Sequence, residues 1–348
     1  MLRTLQGLRI LFIMLVVACH YLQGQFEFGG ECGVSFFFML SGFVLSLAYS
    51  WRIADHRFST SRFVLVQWLK LYPLYLVTTL AMALLDAHLG SGVAPWVLVC
   101  HLLMIQSWVP QESCFFALNG ASWFLSDMMC CYLLFRTLNA LLMGMRRHIL
   151  LAATGVMLCL YVVLACSLPQ RMVNAILYVS PPLRLIDFGI GILSYRLYGA
   201  LRQAPLWQHM LHLPRRRWCL GETFMLLLVA GAAVAYPALP QAVRTVGLFW
   251  AVMPCVILFF AFAEERGAWI TVVLRSSWMV ALGNAAFEVY LLHLPLLRMF
   301  NSAVATRYLP CDSVCRAVLF VALLLSLSWL THRFAVQPCY KNLLKWIK

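Results

Sequence analysis

Residues 8–24, LRILFIMLVVACHYLQG, and residues 33–50, GVSFFFMLSGFVLSLAYS, decide the class of this molecule. As a helix rising about 1.5 Å per residue, each run comes close to the roughly 30 Å of a bilayer's hydrocarbon layer. The first contains one formal charge, Arg9, and the second none. The same texture continues outward. Of 348 residues, 63% are hydrophobic and 11% charged, against about half and a quarter in a soluble domain. A soluble core cannot bury so much apolar surface, so lipid must cover part of it.

Further apolar runs lie near 63–86, 123–142, 149–168, 181–199, 220–238, 245–262, 279–299 and 314–335. With the first two they predict an all-α, polytopic bundle of about ten spans. The chain forms one membrane-embedded unit over 1–348, without long linkers, low-complexity tracts or internal repeats. No small-residue cleavage site follows the first run, so it reads as a retained span and not a signal peptide. Residues 94–108 are also apolar but short for a crossing, and the distribution of positive charge decides how to treat them. With the N-terminus cytoplasmic, Arg52, Arg57 and Arg62 lie inside. If 94–108 is re-entrant or interfacial, Arg146–Arg147, Arg215–Arg216–Arg217 and Lys341, Lys345 and Lys348 stay inside too. About 20 of the 26 Lys and Arg then fall on the cytoplasmic side. The expectation is ten spans, one short extra segment and both termini in the cytoplasm.

The net charge of +14 would suggest nucleic acid in a soluble protein. Here the basic residues sit in short loops between apolar runs, and no RNA- or DNA-binding motif occurs. They suit topology, anionic headgroups of membrane lipids, or an anionic cofactor. Most of the 13 cysteines lie inside apolar runs, where Cys behaves as a small hydrophobe. Cys32, Cys114, Cys311 and Cys315 fall near predicted outer loops, where a disulfide can form. No spacing reads as a metal site.

Ionisable groups inside a membrane are costly and invite a search for partners. Ten residues separate Arg9 from His20, so eleven steps place them roughly 16 Å apart along a helix and about 20° from a whole number of turns, and both face one side. Such a face can line a path, and His suits general-base work near neutral pH. Alternatively, Arg9 snorkels to the headgroups and His20 binds a neighbouring helix. Lys70, beside Trp68 and Tyr72, either snorkels or holds a phosphate. Asp127 and Trp123 open a span from the outer side; the carboxylate complements the helix dipole there, and the pair would also suit a sugar. Arg184 and Asp187, three apart, read as a structural ion pair. Glu288 and His293, five apart, do not share a face closely.

In order along the chain these segments resemble the acyltransferase-3 family of integral membrane O-acyltransferases. Arg9 and His20 match its Arg-(ten residues)-His spacing. Gly33, Val34, Phe36, Phe37, Ser41, Gly42 and Phe43 match the pattern of its second span. Pro73 and Tyr75 match the third, but Gln67 and Lys70 stand where the family has a pair of arginines. Trp123, Leu125 and Tyr132 match a later segment, although Met128 takes the place of its usual Glu, with Asp127 adjacent. Arg184, Asp187, Phe188 and Gly189 resemble the next motif, and Tyr290, Leu291, His293 and Pro295 the last.

The resemblance implies transfer of an acyl group, acetyl by default, from cytoplasmic acyl-CoA to a hydroxyl of an extracytoplasmic or lipid-linked carbohydrate, in a bacterial inner membrane and without a metal. His20 and Arg9 are then the expected catalytic residues. Lys70, Arg62, Arg57 and Gln67 are expected at the CoA donor, with Arg52 adding charge at the mouth, and Asp127, Trp123 and Tyr132 at the acceptor. Lys in place of Arg gives up a bidentate grip on phosphate. The rival expectation is a transporter or flippase, since polar groups in spans also build substrate paths.

Overall fold

The computed structural model describes residues 2–23, 25–301 and 313–347, and among them every regular element is helical. In chain order the α-helices are α1 (Arg3–Tyr21), α2 (Phe28–Ala54), α3 (Thr60–His88), α4 (Pro95–Leu102), α5 (Glu112–Phe115), α6 (Trp123–Gly144), α7 (Arg147–Ser167) and α8 (Gln170–Val173). There follow α9 (Pro181–Gln203), α10 (Pro205–Leu211), α11 (Arg215–Ala235), α12 (Leu248–Arg266), α13 (Trp269–Leu274), α14 (Ser277–Asn284), α15 (Ala286–Phe300), α16 (Ser313–Thr331) and α17 (Gln337–Ile347).

Eight helical runs are long and apolar enough to cross a membrane, and two bent pairs bring the number to ten. The protein is a multi-pass membrane helix bundle. Residues 170–178 meet α9 at 48°, and α14 meets α15 at 60°. The first bend follows from Pro181 and Pro182, which start α9 and supply no N–H to the turn before it. The second has no proline at the break. There Asn284 Oδ1 accepts from Gln6 Nε2 at 2.7 Å, and Gly283 packs so close to the Gln6 carbonyl that a Cβ would lie 1.9 Å from it. The expected span at 181–199 is therefore the straight part of a broken crossing, and the one at 279–299 contains the break itself. Residues 94–108 do not cross: α4 has eight residues and turns back through Gln106–Trp108. With each bent pair as one crossing, the chain ends on the face where it began, here called the terminal face.

Hydropathy does not rank these helices, because all are apolar; polar contacts and small residues do. α1, α2 and α12 form the centre, whereas α7 and α16 lie mostly open on the rim. α2 crosses α9 in near backbone contact: a Cβ on Gly42 would sit 2.1 Å from the Phe188 carbonyl, and one on Gly191 2.0 Å from that of Met39. The same crossing holds the fully buried Arg184–Asp187 pair, 2.5 Å apart. Arg184 also donates to the Tyr178 carbonyl at 2.6 Å and to Ser35 Oγ at 3.3 Å, while Trp250 Nε1 donates to Asp187 at 2.5 Å. A buried pair is tolerated when its remaining hydrogen-bonding capacity is met, as here, and the pair ties α9 to α2 and α12. It is structural, in keeping with its spacing.

Cys32 and Cys114 are unpaired and fully buried. Burial pushes the Cys114 thiol, in the segment between α4 and α6, up to about 11. Cys311 lies outside the described residues, as does Lys348.

Candidate functional site

α1 threads between two cavities and presents one ionisable group to each. Toward the terminal face, Arg9 lines a narrow cavity of about 90 Å³ together with Gln67 and Lys70 of α3, Tyr132 of α6 and Ser41 of α2. Toward the opposite face, His20 lines a cavity of about 430 Å³. The two share three wall residues, Val16, Val34 and Tyr290, which form a thin septum between them. The common face expected for Arg9 and His20 is present, divided by this septum.

The narrow cavity is cationic. Arg9 of α1 and Lys70 of α3 both line it, and Lys70 is exposed. The Arg9 Nε is buried without a hydrogen-bond partner. Arg57 and Arg62 do not line the cavity. Both are exposed at the α2–α3 turn on the terminal face, where the Arg62 N–H donates to Ser59 Oγ at 3.4 Å as a helix cap. Arg52, also exposed, lies over the Tyr49 and Trp51 rings at 5.7 and 5.1 Å.

In the wide cavity His20 has a partner. Its Nδ1 lies 3.0 Å from the Val16 carbonyl and 3.2 Å from Nε2 of His293, whose own Nδ1 lies 2.5 Å from the Tyr290 carbonyl. A carbonyl only accepts, so each Nδ1 carries the hydrogen. His293 Nε2 then accepts from His20, and His20 Nε2 keeps a free lone pair. The arrangement fixes one neutral tautomer and one orientation, as an orienting partner does for a histidine base. Around it stand Trp123, Tyr178, Asn174, Gln241 and three charges. Glu27 pairs with Arg244 at 3.2 Å, and Glu31 accepts from the Tyr236 hydroxyl at 2.7 Å.

Trp123 lines the wide cavity as expected of a residue on that side, but Asp127 and Tyr132 do not. Tyr132 lines the narrow cavity instead. Nine residues beyond Trp123, it sits roughly 13 Å farther along α6 and half a turn round. Asp127 is fully buried, lines neither cavity, and has no hydrogen-bond partner for either oxygen. No group of three or more His, Cys, Asp or Glu among the described residues is placed to hold a metal ion.

A family model described as an acyltransferase domain matches residues 2–333. The chain belongs to the acyltransferase-3 family. It is 27% identical to acyltransferase MdmB of Streptomyces mycarofaciens, over 98% of this chain and 92% of that protein. No solved structure matches it. As a member of the family it is a membrane acyltransferase, an enzyme whose site must bring an acyl donor and an acceptor together.

The acyltransferase-3 motifs account for the narrow cavity better than for the wide one. Glu27, Glu31, Asn174, Gln241 and Arg244 lie at or near the ends of three separate crossings and belong to none of the matched motifs. Their one signal in the sequence is polarity at the edge of an apolar run. His293 was visible as a motif residue. Its partnership with His20, 273 positions away, was not.

Proposed function

We propose that this membrane acyltransferase moves an acyl group, acetyl by default, from cytoplasmic acyl-CoA to a hydroxyl of a carbohydrate on the other side of a bacterial inner membrane. On this reading the terminal face is cytoplasmic, with both termini there. The supporting observation is the pair of cavities separated by three side chains, one lined by two cations and the other by an oriented imidazole. At about 90 Å³ the narrow cavity is too small for a nucleotide, and a donor chain would have to widen it on entry. The thioester arm of CoA would thread it past Arg9 and Lys70 while the nucleotide stayed outside, near Arg52, Arg57 and Arg62.

The reaction then needs little beyond placement. The acceptor hydroxyl approaches the thioester carbon at the septum, and His20 Nε2 takes its proton as the C–O bond forms. The tetrahedral intermediate collapses, the C–S bond breaks, and the same imidazole returns the proton to the leaving thiolate. His293 steadies the imidazolium in between. Trp123, Tyr178, Asn174 and Gln241 offer the stacking surface and the mixed donors and acceptors that a polyol requires.

Incubating the purified protein in lipid with labelled acetyl-CoA and candidate glycans tests this. Labelled ester should form, and His20→Ala should lower its rate about 10²- to 10⁴-fold at unchanged expression. A rate near wild type in His20→Ala would reject the proposed chemistry. Glycan movement without thioester consumption would favour a transporter.

A further inference from the structure

Of the three charges on the wall of the wide cavity, two cancel and one is left over. Glu27 pairs with Arg244 at 3.2 Å, and the Arg244 guanidinium lies over the Tyr236 ring at 5.0 Å. Glu31 remains. Its Oε2 accepts from the Tyr236 hydroxyl at 2.7 Å, which holds the carboxylate in place. Its Oε1 accepts from no described residue and is not sealed off from the cavity. Among the described residues no Lys, Arg or His forms an ion pair with Glu31. A half-buried carboxylate in a membrane crossing is costly without a counter-charge, and here the open side faces the ligand space.

Helical spacing puts Glu31 level with the base. Glu27, Gly30, Glu31 and Val34 form one stripe down the cavity wall, ending at the septum. Glu31 stands about 4.5 Å along α2 from Val34, and His20 about 6 Å along α1 from Val16, another septum residue. The residues beside them bring the two helices together: a Cβ on Gly30 would lie 3.0 Å from Cys19 Sγ. Carboxylate and imidazole therefore look into the same space from neighbouring helices, each about one turn above the septum. One sugar ring spans such a gap.

We propose that the acceptor is an amino sugar: its protonated amine rests on Glu31 while a hydroxyl of the same ring meets His20 Nε2. A charge-assisted contact of this kind is strong and directional. It keeps the amine protonated and unable to attack the thioester, so the product is an ester and not an amide. Glu31 binds and selects the acceptor and takes no part in the bonds exchanged. The inference rests on the reading of the wide cavity as the acceptor site.

Cellotetraose and the fully deacetylated glucosamine tetramer share length and linkage and differ in one group per ring, a hydroxyl against an ammonium. The experiment is calorimetric titration of the full-length protein in phosphatidylcholine nanodiscs with each tetramer, with empty discs as the blank and transfer from labelled acetyl-CoA in parallel. Wild type should bind the amino tetramer about 10- to 10²-fold tighter, and its labelled product should be released by hydroxylamine, as an ester is. Glu31→Gln keeps the shape and removes the charge, so the preference should fall to within about threefold. Glu31→Asp keeps the charge and should retain part of the preference, which separates recognition from misfolding. Equal binding of the two tetramers by wild type, binding of neither, a preference that survives Glu31→Gln, or a labelled amide overturns the proposal. The acceptor reading fails separately. Tighter binding of the amino tetramer that Glu31→Gln abolishes, with no transfer to it, keeps amine recognition and rejects that reading; transfer to both tetramers without preference does the reverse.

Discussion

The two cavities on either side of Val16, Val34 and Tyr290 are built on different plans. The narrow one takes its character from single cations on two helices, Arg9 on α1 and Lys70 on α3. The wide one is assembled from the ends of four crossings, with Glu27 and Glu31, Trp123, Asn174 and Tyr178, and Gln241 and Arg244. A point charge recognises any anionic group in a tight channel. A ring of mixed donors, acceptors and aromatic faces recognises the shape of one hydroxylated molecule. A common donor handle and a variable acceptor would be served by such a division, and the difference makes the septum between the cavities the most sensitive place to perturb.

The largest effect after removal of His20 is expected there. Val34 is 5% exposed and faces both cavities. Val34→Phe should close the passage and reduce transfer at least about 10²-fold, while CoA titration at the narrow end stays close to wild type; overpacking of about 1–3 kcal/mol is the structural cost. Val34→Ala serves as the control, since it opens the septum without adding bulk. Unimpaired transfer in Val34→Phe would mean that the two cavities do not meet across this wall.

A smaller effect, on the wide side alone, is expected from His293→Ala. It removes the partner that orients the His20 ring and steadies its imidazolium but leaves the base itself. The rate should fall about 10-fold to 10²-fold in kcat, at the low end of what acid–base catalysis contributes, with the donor KM unchanged. A rise in donor KM with kcat intact would place His293 in binding and detach it from His20.

The contrast between the cavities also explains what was legible in the sequence. The crossings were, because about twenty apolar residues in a row have few other uses. The short segment at 94–108 was, through the basic loops. Arg9 and His20 share a face because helical spacing fixes it. Bends were less legible: Pro181–Pro182 is visible as punctuation, but the α14–α15 break depends on Gln6 of the first helix reaching Asn284. In helices that are apolar all round, periodicity does not tell which face turns inward, so Asp127 read as a mouth residue is instead sealed in the interior. The residues of the wide cavity come from positions as far apart as Val16 and Leu294, and no local pattern announces them.

The smallest expected effect tests the narrow side. Lys70 stands where the acyltransferase-3 pattern has an arginine, and an ammonium offers a point charge where a guanidinium offers a planar fork. Its solvent access leaves room for the larger head. Lys70→Arg should lower the donor KM about two- to threefold through a more directional contact with an anionic group, with kcat little changed because on the proposed reading the reacting atoms meet at the septum, which Lys70 does not form. The gain should shrink as salt is raised, since an accessible ion contact is screened. A KM that stays constant, or a kcat that moves instead, would mean that Lys70 does not meet the donor, and that the positive end of the passage serves only to hold the helix at the membrane surface.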